Sequence, residues 1–349
     1  MNVGLVIYGD LEPRSGGYRY DRQLVEGLRR RGDHVELIPI PETSYTKSLT
    51  HNCSRRLKRD LERPFDVLLQ DELCYPSLFV LNRRLDVEYP IISIVHHLRV
   101  SELSGKTRVL TEALERAYLS TVDAVICNSR PTQAAVAKRS SVPGIIAWPG
   151  SNRFDHHPTN ASIAERARRD PFEIVFVGNL IPRKGLATLV RGLSRVDSEW
   201  HLTVIGSNST EHASEIRELV REKGLIERVE FTGWIDEGEL AAHLEAAHLL
   251  AVPSVHEGFG IVYLEGMAFG LPALASASGG ASDLVSEGKT GFLITPGDAR
   301  AITHAVEELA TDRDRLVAMS LSARQRFEHH PTWDEMSARI RSFLETRIE

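Results

Sequence analysis

The sequence predicts an α/β protein of two consecutive halves, each an open sheet flanked by helices. Three observations carry this. Short, continuous apolar runs recur along the chain, among them Val3 to Tyr8, Ile91 to Val95 and Leu249 to Val252, and such runs bounded by turn residues read as buried strands. Many of them lead through a glycine-containing turn into a segment of helical spacing, the alternation of a parallel sheet with crossover helices. A polar, irregular stretch at 150–171 then divides a chain whose 349 residues suit two domains.

In order, Val3 to Tyr8 is a strand, a loop ends at Gly16-Gly17, and a helix runs from about Tyr18 to Arg31 before Gly32 stops it. Strands follow at His34 to Ile40, Phe65 to Gln70, Ile91 to Val95, Ala124 to Cys127 and Ile145 to Trp148. Between them, 42–63 is charged and aperiodic, and helices are expected near Lys106 to Thr121 and Thr132 to Lys138. The second half opens with the strand Glu173 to Val177 and the turn Gly178 to Gly185. It continues through strands at Leu202 to Ile205, Val229 to Phe231, Leu249 to Val252 and Ala273 to Ser276, the last clear one, after which a helix is expected from about Ala281. Helices fill the remainder, broken at His329-His330-Pro331.

Composition narrows the function classes. The hydrophobic fraction of 42% and charged fraction of 26% are those of an ordinary globular protein. Residues 1–160 carry 22 basic and 19 acidic side chains and the remainder 20 and 29, too little basic excess for a dedicated nucleic-acid domain. Cys53, Cys74 and Cys127 are odd in number and form no CxxC pair, so neither a disulfide framework nor a zinc site is expected. No apolar run approaches the roughly 18 residues of a membrane span, and the N-terminus reads as a strand rather than a leader. The expected location is the cytoplasm, with any membrane contact peripheral. The basic residues of 47–63 form either a solvated face or a patch for an anionic surface.

The stretch Pro253 to Pro272 is strand, loop and helix, with Glu257 in the loop and Glu265 two turns into the helix. Ligands of open α/β sheets sit beyond the carboxyl ends of the strands, which is where Glu257 falls. Gly178 to Gly185, Gly258 to Gly260 and Gly279-Gly280 are further strand-end turns, and the first holds Arg183 and Lys184. Backbone amides and cations can hold a diphosphate and stabilise it as a leaving group. Carboxylates accept hydrogen bonds from sugar hydroxyls. Singly, each feature has a plainer reading: Gly16-Gly17 as a tight turn, Lys184 as an exposed lysine, Glu257 as a helix cap. The GxGxxG fingerprint is absent after the first strand of either half, which lowers a nicotinamide enzyme. Asp312-Arg313-Asp314 lies between helices, where capping is the readier role, so no metal site is expected.

These residues resemble family 4 (GT4, "group 1") retaining glycosyltransferases of GT-B fold. The resemblance rests on Gly178 through Lys184-Gly185, Gly206, Phe231-Thr232-Gly233, Pro253-Ser254 with the Glu257…Glu265 pair, Gly270-Leu271-Pro272, Ser278-Gly279-Gly280 and Gly288…Gly291-Phe292. It runs more loosely through Gly16-Gly17, His96, Asn128-Ser129 and Pro149-Gly150. It implies two Rossmann-like domains facing a central cleft: an acceptor-side domain, 1–158 with a returning helix at about 331–349, and a nucleotide-sugar domain, 159–330. It also implies sugar transfer from a nucleotide diphosphate (GDP, UDP or ADP) to a hydroxyl acceptor (a glycan, a lipid-linked sugar or a small molecule), without cofactor or metal. Catalytic roles would fall to His96, Glu257 and Lys184. Donor contacts would come from Gly16, Gly17, Arg183, Lys184, Ile235, Glu257, Gly258, Phe259, Gly260, Glu265, Gly279 and Gly280, with His97 and Trp234 as neighbours. Asn179 departs from the Arg the family often carries there. A nucleotide-sugar epimerase or a non-catalytic binding homologue of the same fold are the alternatives.

Overall fold

The computed structural model describes residues 1–12, 15–103, 105–207 and 211–348. It divides into two compact units, Met1–Gly150 with Pro331–Glu349, and Ser151–His330. The division falls at Gly150–Ser151, at the start of the polar stretch 150–171 and eight residues before the 158/159 bound given with the resemblance.

The first unit holds six parallel strands: β1 (Asn2–Tyr8), β2 (His34–Ile40), β3 (Val67–Asp71), β4 (Ile91–Val95), β5 (Ala124–Cys127) and β6 (Gly144–Ile146). They lie in the order β2-β1-β3-β4-β5-β6, so the order reverses between β1 and β3. Every residue of β3, β4 and β5 is buried, as continuous Val/Ile/Leu runs covered by helices on both faces require. The second unit repeats the plan with β7 (Phe172–Val177), β8 (Trp200–Ile205), β9 (Val229–Gly233), β10 (Leu249–Val252), β11 (Ala273–Ser276) and β12 (Gly291–Ile294). Its order is β12-β11-β10-β7-β8-β9. Counted from its own first strand this is the 3-2-1-4-5-6 arrangement of dinucleotide-binding sheets, with the reversal between β7 and β10.

Three expectations need correction. Ala273–Ser276 is not the last strand: Gly291–Ile294 pairs with it in parallel. It is four residues long and begins at a glycine of positive φ, so it gives little strand signal. The helix expected from Ala281 is a 3-10 turn, Gly280–Asp283. Gly16 and Gly17 do not precede their helix but form its first turn, Gly16–Arg30, capped by the Ser15 hydroxyl accepting from the Tyr18 amide.

The last helix, Trp333–Ile348, packs on the helix Gly16–Arg30 of the first unit. Arg31 donates to Ser337 Oγ (3.1 Å) and to the Asp334 carboxylate (2.7 Å). Arg341 donates to Asp33 (2.8 Å). Asp312 accepts from the Arg315 amide as a helix cap. The three cysteines are free, and among the described residues no helix is long and apolar enough to cross a membrane.

Helix contact is tightest at Gly27, where a Cβ would stand 2.2 Å from Ser337 Oγ and 2.4 Å from its Cβ. Gly27→Ala is expected to destabilise, because overpacking costs about 1–3 kcal/mol against about 1 kcal/mol of gained helix propensity. Urea denaturation of Gly27→Ala, Ser337→Gly and the double variant measures this. The double variant should recover part of the loss, and strictly additive effects would refute the contact.

Candidate active site

The second unit's reversal point gathers Arg183, Lys184 and Glu257. Beyond β7, the turn Pro182–Lys184 ends at Gly185, whose φ of 74° is left-handed. A Cβ there would stand 2.0 Å from the Pro253 carbonyl oxygen, so glycine lets the lysine turn lie against the end of β10. The Val255 amide donates to the Arg183 carbonyl (2.7 Å) and fastens the two turns. Lys184 Nζ thereby reaches Glu257 Oε1 at 2.5 Å, and Ser254 Oγ donates to the same oxygen at 2.6 Å. Arg183 donates to the His256 carbonyl (2.9 Å) and lies 3.7 Å from Glu257 Oε2.

Glu257 is buried. Burial pushes its carboxyl up, but the Lys184 and Arg183 charges and the hydrogen bonds from Lys184 and Ser254 outweigh that, and its pKa falls below the ordinary value. Its loop is braced by the turn after β11. The Gly280 amide donates to the Glu257 carbonyl (2.8 Å). A Cβ on Gly279 or Gly280 would stand 2.0 Å from the carbonyl oxygen of Glu257 or Gly258 respectively. Gly260, at φ 88°, starts the helix Ile261–Ala268, and Phe259 is buried with its ring 5.7 Å from that of His330.

Glu265 is buried on that helix and accepts from Arg153 at 2.7 Å. Arg153 also lies 3.6 Å from Glu237, the first residue of the helix after Ile235. One arginine thus links Glu265 to the segment that carries Ile235 and the exposed Trp234. Asn179 is exposed, and Arg183 supplies the second cation beside Glu257.

The remaining candidates lie in the first unit, at its own reversal point. His96 follows β4, buried, with the ring Nε2 3.3 Å from Asp21 Oδ1 and the ring 5.1 Å from Tyr20. A Cβ on Gly17 would meet His96 Cδ2 at 3.2 Å, so the helix's first turn and the histidine are neighbours. His97 Nδ1 stands 3.8 Å from Glu72 Oε1. Burial lowers the His96 pKa against an opposing pull from Asp71. Asp21 and Asp71 are raised to about 7, first by burial. Asp21, Asp71 and His96 hold ligand-type atoms within 4.8 Å of one another, a spacing that also suits a cation.

Sequence reasoning missed Arg153, Ser254, Asp21, Asp71 and Glu72. Asp71 ends the buried strand β3 and Glu72 follows it directly, where the argument that singled out His96 would have found them.

Residues 159–326 match the family model described as glycosyl transferases group 1. A GDP-mannose-dependent alpha-(1-6)-phosphatidylinositol monomannoside mannosyltransferase of Mycobacterium tuberculosis is 28% identical over 99% of this chain and 98% of that protein. A D-inositol 3-phosphate glycosyltransferase of Corynebacterium glutamicum is 31% identical over 58% of this chain and 51% of its own. Among solved structures, sucrose-phosphate synthase of Thermosynechococcus elongatus superposes with a TM-score of 0.85 at 23% identity, covering 99% and 98% of the two chains. HepE of Anabaena with UDP and glucose gives 0.78 at 17% identity, covering 99% and 100%. The family match thus covers just under half of the chain, within the second unit, and the whole chain shares the GT-B fold of these solved structures. The relatives compared are glycosyltransferases by name, one of them GDP-mannose-dependent.

The Glu257 pair has a pH signature. A carboxylate with a depressed folded pKa adds stability above its unfolded value, here 4.5, and that stability is lost as pH falls through the folded value. Lys184→Met should cost about 1–3 kcal/mol at neutral pH by leaving a buried charge underpaired. The deficit should shrink below pH 4.5. Denaturant titrations at neutral and acid pH measure it, and an equal deficit at both would rule out the pairing as its source.

Proposed function

We propose that the enzyme transfers a hexosyl residue from a nucleotide diphosphate sugar to a hydroxyl acceptor with retention of anomeric configuration and without a metal. The observation that carries this reading is the buried Glu257–Lys184 pair at the reversal point between β7 and β10, braced by Gly279 and Gly280. Lys184 has three donors, so holding Glu257 leaves it capable of meeting a diphosphate as well. Arg183 adds a second cation, and the two replace a metal as the stabiliser of the leaving group. Glu257 is kept ionised by the same cations and accepts from hydroxyls of the transferred sugar. Glu265, oriented by Arg153, accepts from the ribose, and backbone near Ile235 meets the base.

In the reaction, the bond from the anomeric carbon to the diphosphate oxygen breaks while the acceptor oxygen bonds to that carbon on the same face. The acceptor's proton passes to the departing phosphate oxygen, and nucleoside diphosphate leaves. The protein's work is positioning and charge stabilisation. GDP-mannose, named in the Mycobacterium tuberculosis relative, and UDP-glucose, bound in a structure of HepE, are the first donors to test. A thermal-shift screen of GDP, UDP and ADP identifies the base, since a ligand of the folded state raises its stability. Contact of 47–63 with an anionic membrane surface also belongs to this reading. There Arg56 and Lys58 face Asp60 and Glu62, and Arg63 faces Glu36, so the segment's net field is smaller than its lysine and arginine content.

With the accepted donor, Glu257→Ala and Lys184→Ala should each lower kcat/KM by about 10²-fold or more. Proton NMR of the first product should show the donor's anomeric configuration, and EDTA should leave the rate unchanged. Wild-type rates in both variants would refute the site, an inverted product the stereochemistry, and loss of activity in EDTA the metal-free chemistry.

A further inference from the structure

Arg153 is the third residue of the second unit and belongs to no strand or helix. Its side chain is nonetheless held. Phe154 beside it is buried and meets Phe269 edge-on at 5.0 Å. Phe269 closes the helix Ile261–Ala268, which carries Glu265. The Arg153 guanidinium lies 5.1 Å from the centre of the Phe154 ring, a cation–aromatic contact that fixes its direction. An apolar anchor one residue along the chain thus sets the guanidinium beside Glu265.

One part of that guanidinium is spent. Nη1 donates to Glu265 Oε1 at 2.7 Å. Nε is buried and has no hydrogen-bond acceptor among the described residues. Glu237 Oε1 stands 3.6 Å from Nε, too far for a hydrogen bond. With 56% of its side chain exposed, Glu237 has water as a partner and no need to close that gap. A buried N–H without an acceptor has given up the water it held in the unfolded chain. An oxygen brought by a ligand would restore the bond.

The neighbouring group says what that oxygen belongs to. Beside the orphan N–H stands the Glu265 carboxylate, which when ionised only accepts. A ligand carbonyl or ether would serve the N–H and leave the carboxylate unanswered, and an ammonium would do the reverse. A hydroxyl does both: its oxygen accepts from Nε and its hydrogen goes to Glu265. Two hydroxyls on adjacent carbons can divide the task between them. Arg153 already faces two carboxylates, Glu265 and Glu237, so what it has left to offer is a hydrogen bond rather than a net charge.

We propose that Arg153 binds the donor's ribose directly and makes the site selective for the vicinal hydroxyl pair, Nε donating to one ribose oxygen while Glu265 accepts from the pair. This rests on the reading of Glu265 as the ribose acceptor and adds a second contact to it: the arginine that orients the carboxylate also touches the sugar. A site built to bond a hydroxyl rejects the analogue that lacks it, because the site's own polar groups are then left unpaired.

Calorimetry of the full chain with GDP, UDP and ADP, and with their 2′-deoxy and 3′-deoxy forms, tests this. For the parent that binds, at least one deoxy form should bind about tenfold more weakly. Arg153→Met keeps an apolar stem on Phe154 and removes every donor. It should weaken the parent by about tenfold and cut the deoxy penalty to about threefold or less. A loss of stability alone would weaken parent and deoxy forms together, so the ratio between them reads the contact and not the fold. The proposal is overturned if the wild-type chain binds a parent and both its deoxy forms alike, or if Arg153→Met keeps the wild-type penalty. In either case a parent that binds, and is weakened by Lys184→Ala, leaves the donor reading standing. A chain that binds none of the three parents refutes the donor reading, and the role of Arg153 with it.

Discussion

A buried carboxylate cannot stand alone, and the second unit is arranged around that constraint. Glu257 loses its water on folding, and the cations of the turn after β7, helped by the Ser254 hydroxyl, keep it ionised. Lys184 reaches it because Gly185 permits a left-handed turn in contact with the Pro253 carbonyl. Its own backbone is fixed because Gly279 and Gly280 permit a second turn to close on the carbonyls of Glu257 and Gly258. Three strand ends are thus tied to one charge pair. The glycines serve close approach of backbone to backbone, which a Cβ would forbid. The site's charge arrangement and its stability draw on the same contacts, so substitutions here move both together.

The two sheets differ where it matters. The first reverses its strand order between β1 and β3, the second between β7 and β10. Each reversal opens a crevice at the carboxyl ends, but the side chains delivered there have opposite character. The second unit delivers Arg183 and Lys184 around one carboxylate, a site whose surplus is positive. The first delivers Asp21, Asp71, Glu72 and His96, all buried, and among the described residues none of them is ion-paired to a lysine or arginine. A diphosphate is suited to the first kind of surface and hydroxyl groups to the second. The chain's charge totals hide this, because the half with more basic residues overall is the one whose crevice is acidic.

The strands were legible because buried parallel strands are continuous apolar runs, and four of them, His34–Ile40, Ile91–Val95, Leu249–Val252 and Ala273–Ser276, begin and end where the runs do. Gly291–Ile294 escaped because an edge strand of four residues headed by glycine has no such run. The turn at Gly280–Asp283 escaped because a glycine pair followed by small residues suits a helix start as well as a 3-10 turn. Glu257 and Lys184 were legible as motif residues at strand ends. Their 2.5 Å contact was not, since it spans 73 positions. Arg153 was read as part of an irregular linker, and only the folded chain brings it across 112 positions to Glu265.

His96 shows how far a strand-end position can be taken. That position alone makes it a ligand-facing candidate. The structure adds that its Nε2 is already occupied. Either an N–H there faces an Asp21 carboxylate, or a bare nitrogen faces a carboxyl proton; Asp21, like Asp71, is raised to about 7 by burial, so both forms are within reach near neutrality. In both cases the ring spends that edge on Asp21. A sugar can then meet only the ring's other edge or the backbone around it. The His96 amide is held by Glu72 and the His96 carbonyl by Thr132 Oγ1, which removes the backbone as well. Any ligand contact of the His96 ring therefore runs through Nδ1 or through the carbon edge beside Gly17, and the charge state it presents there is set by burial, which lowers its pKa, against the opposing pull of Asp71.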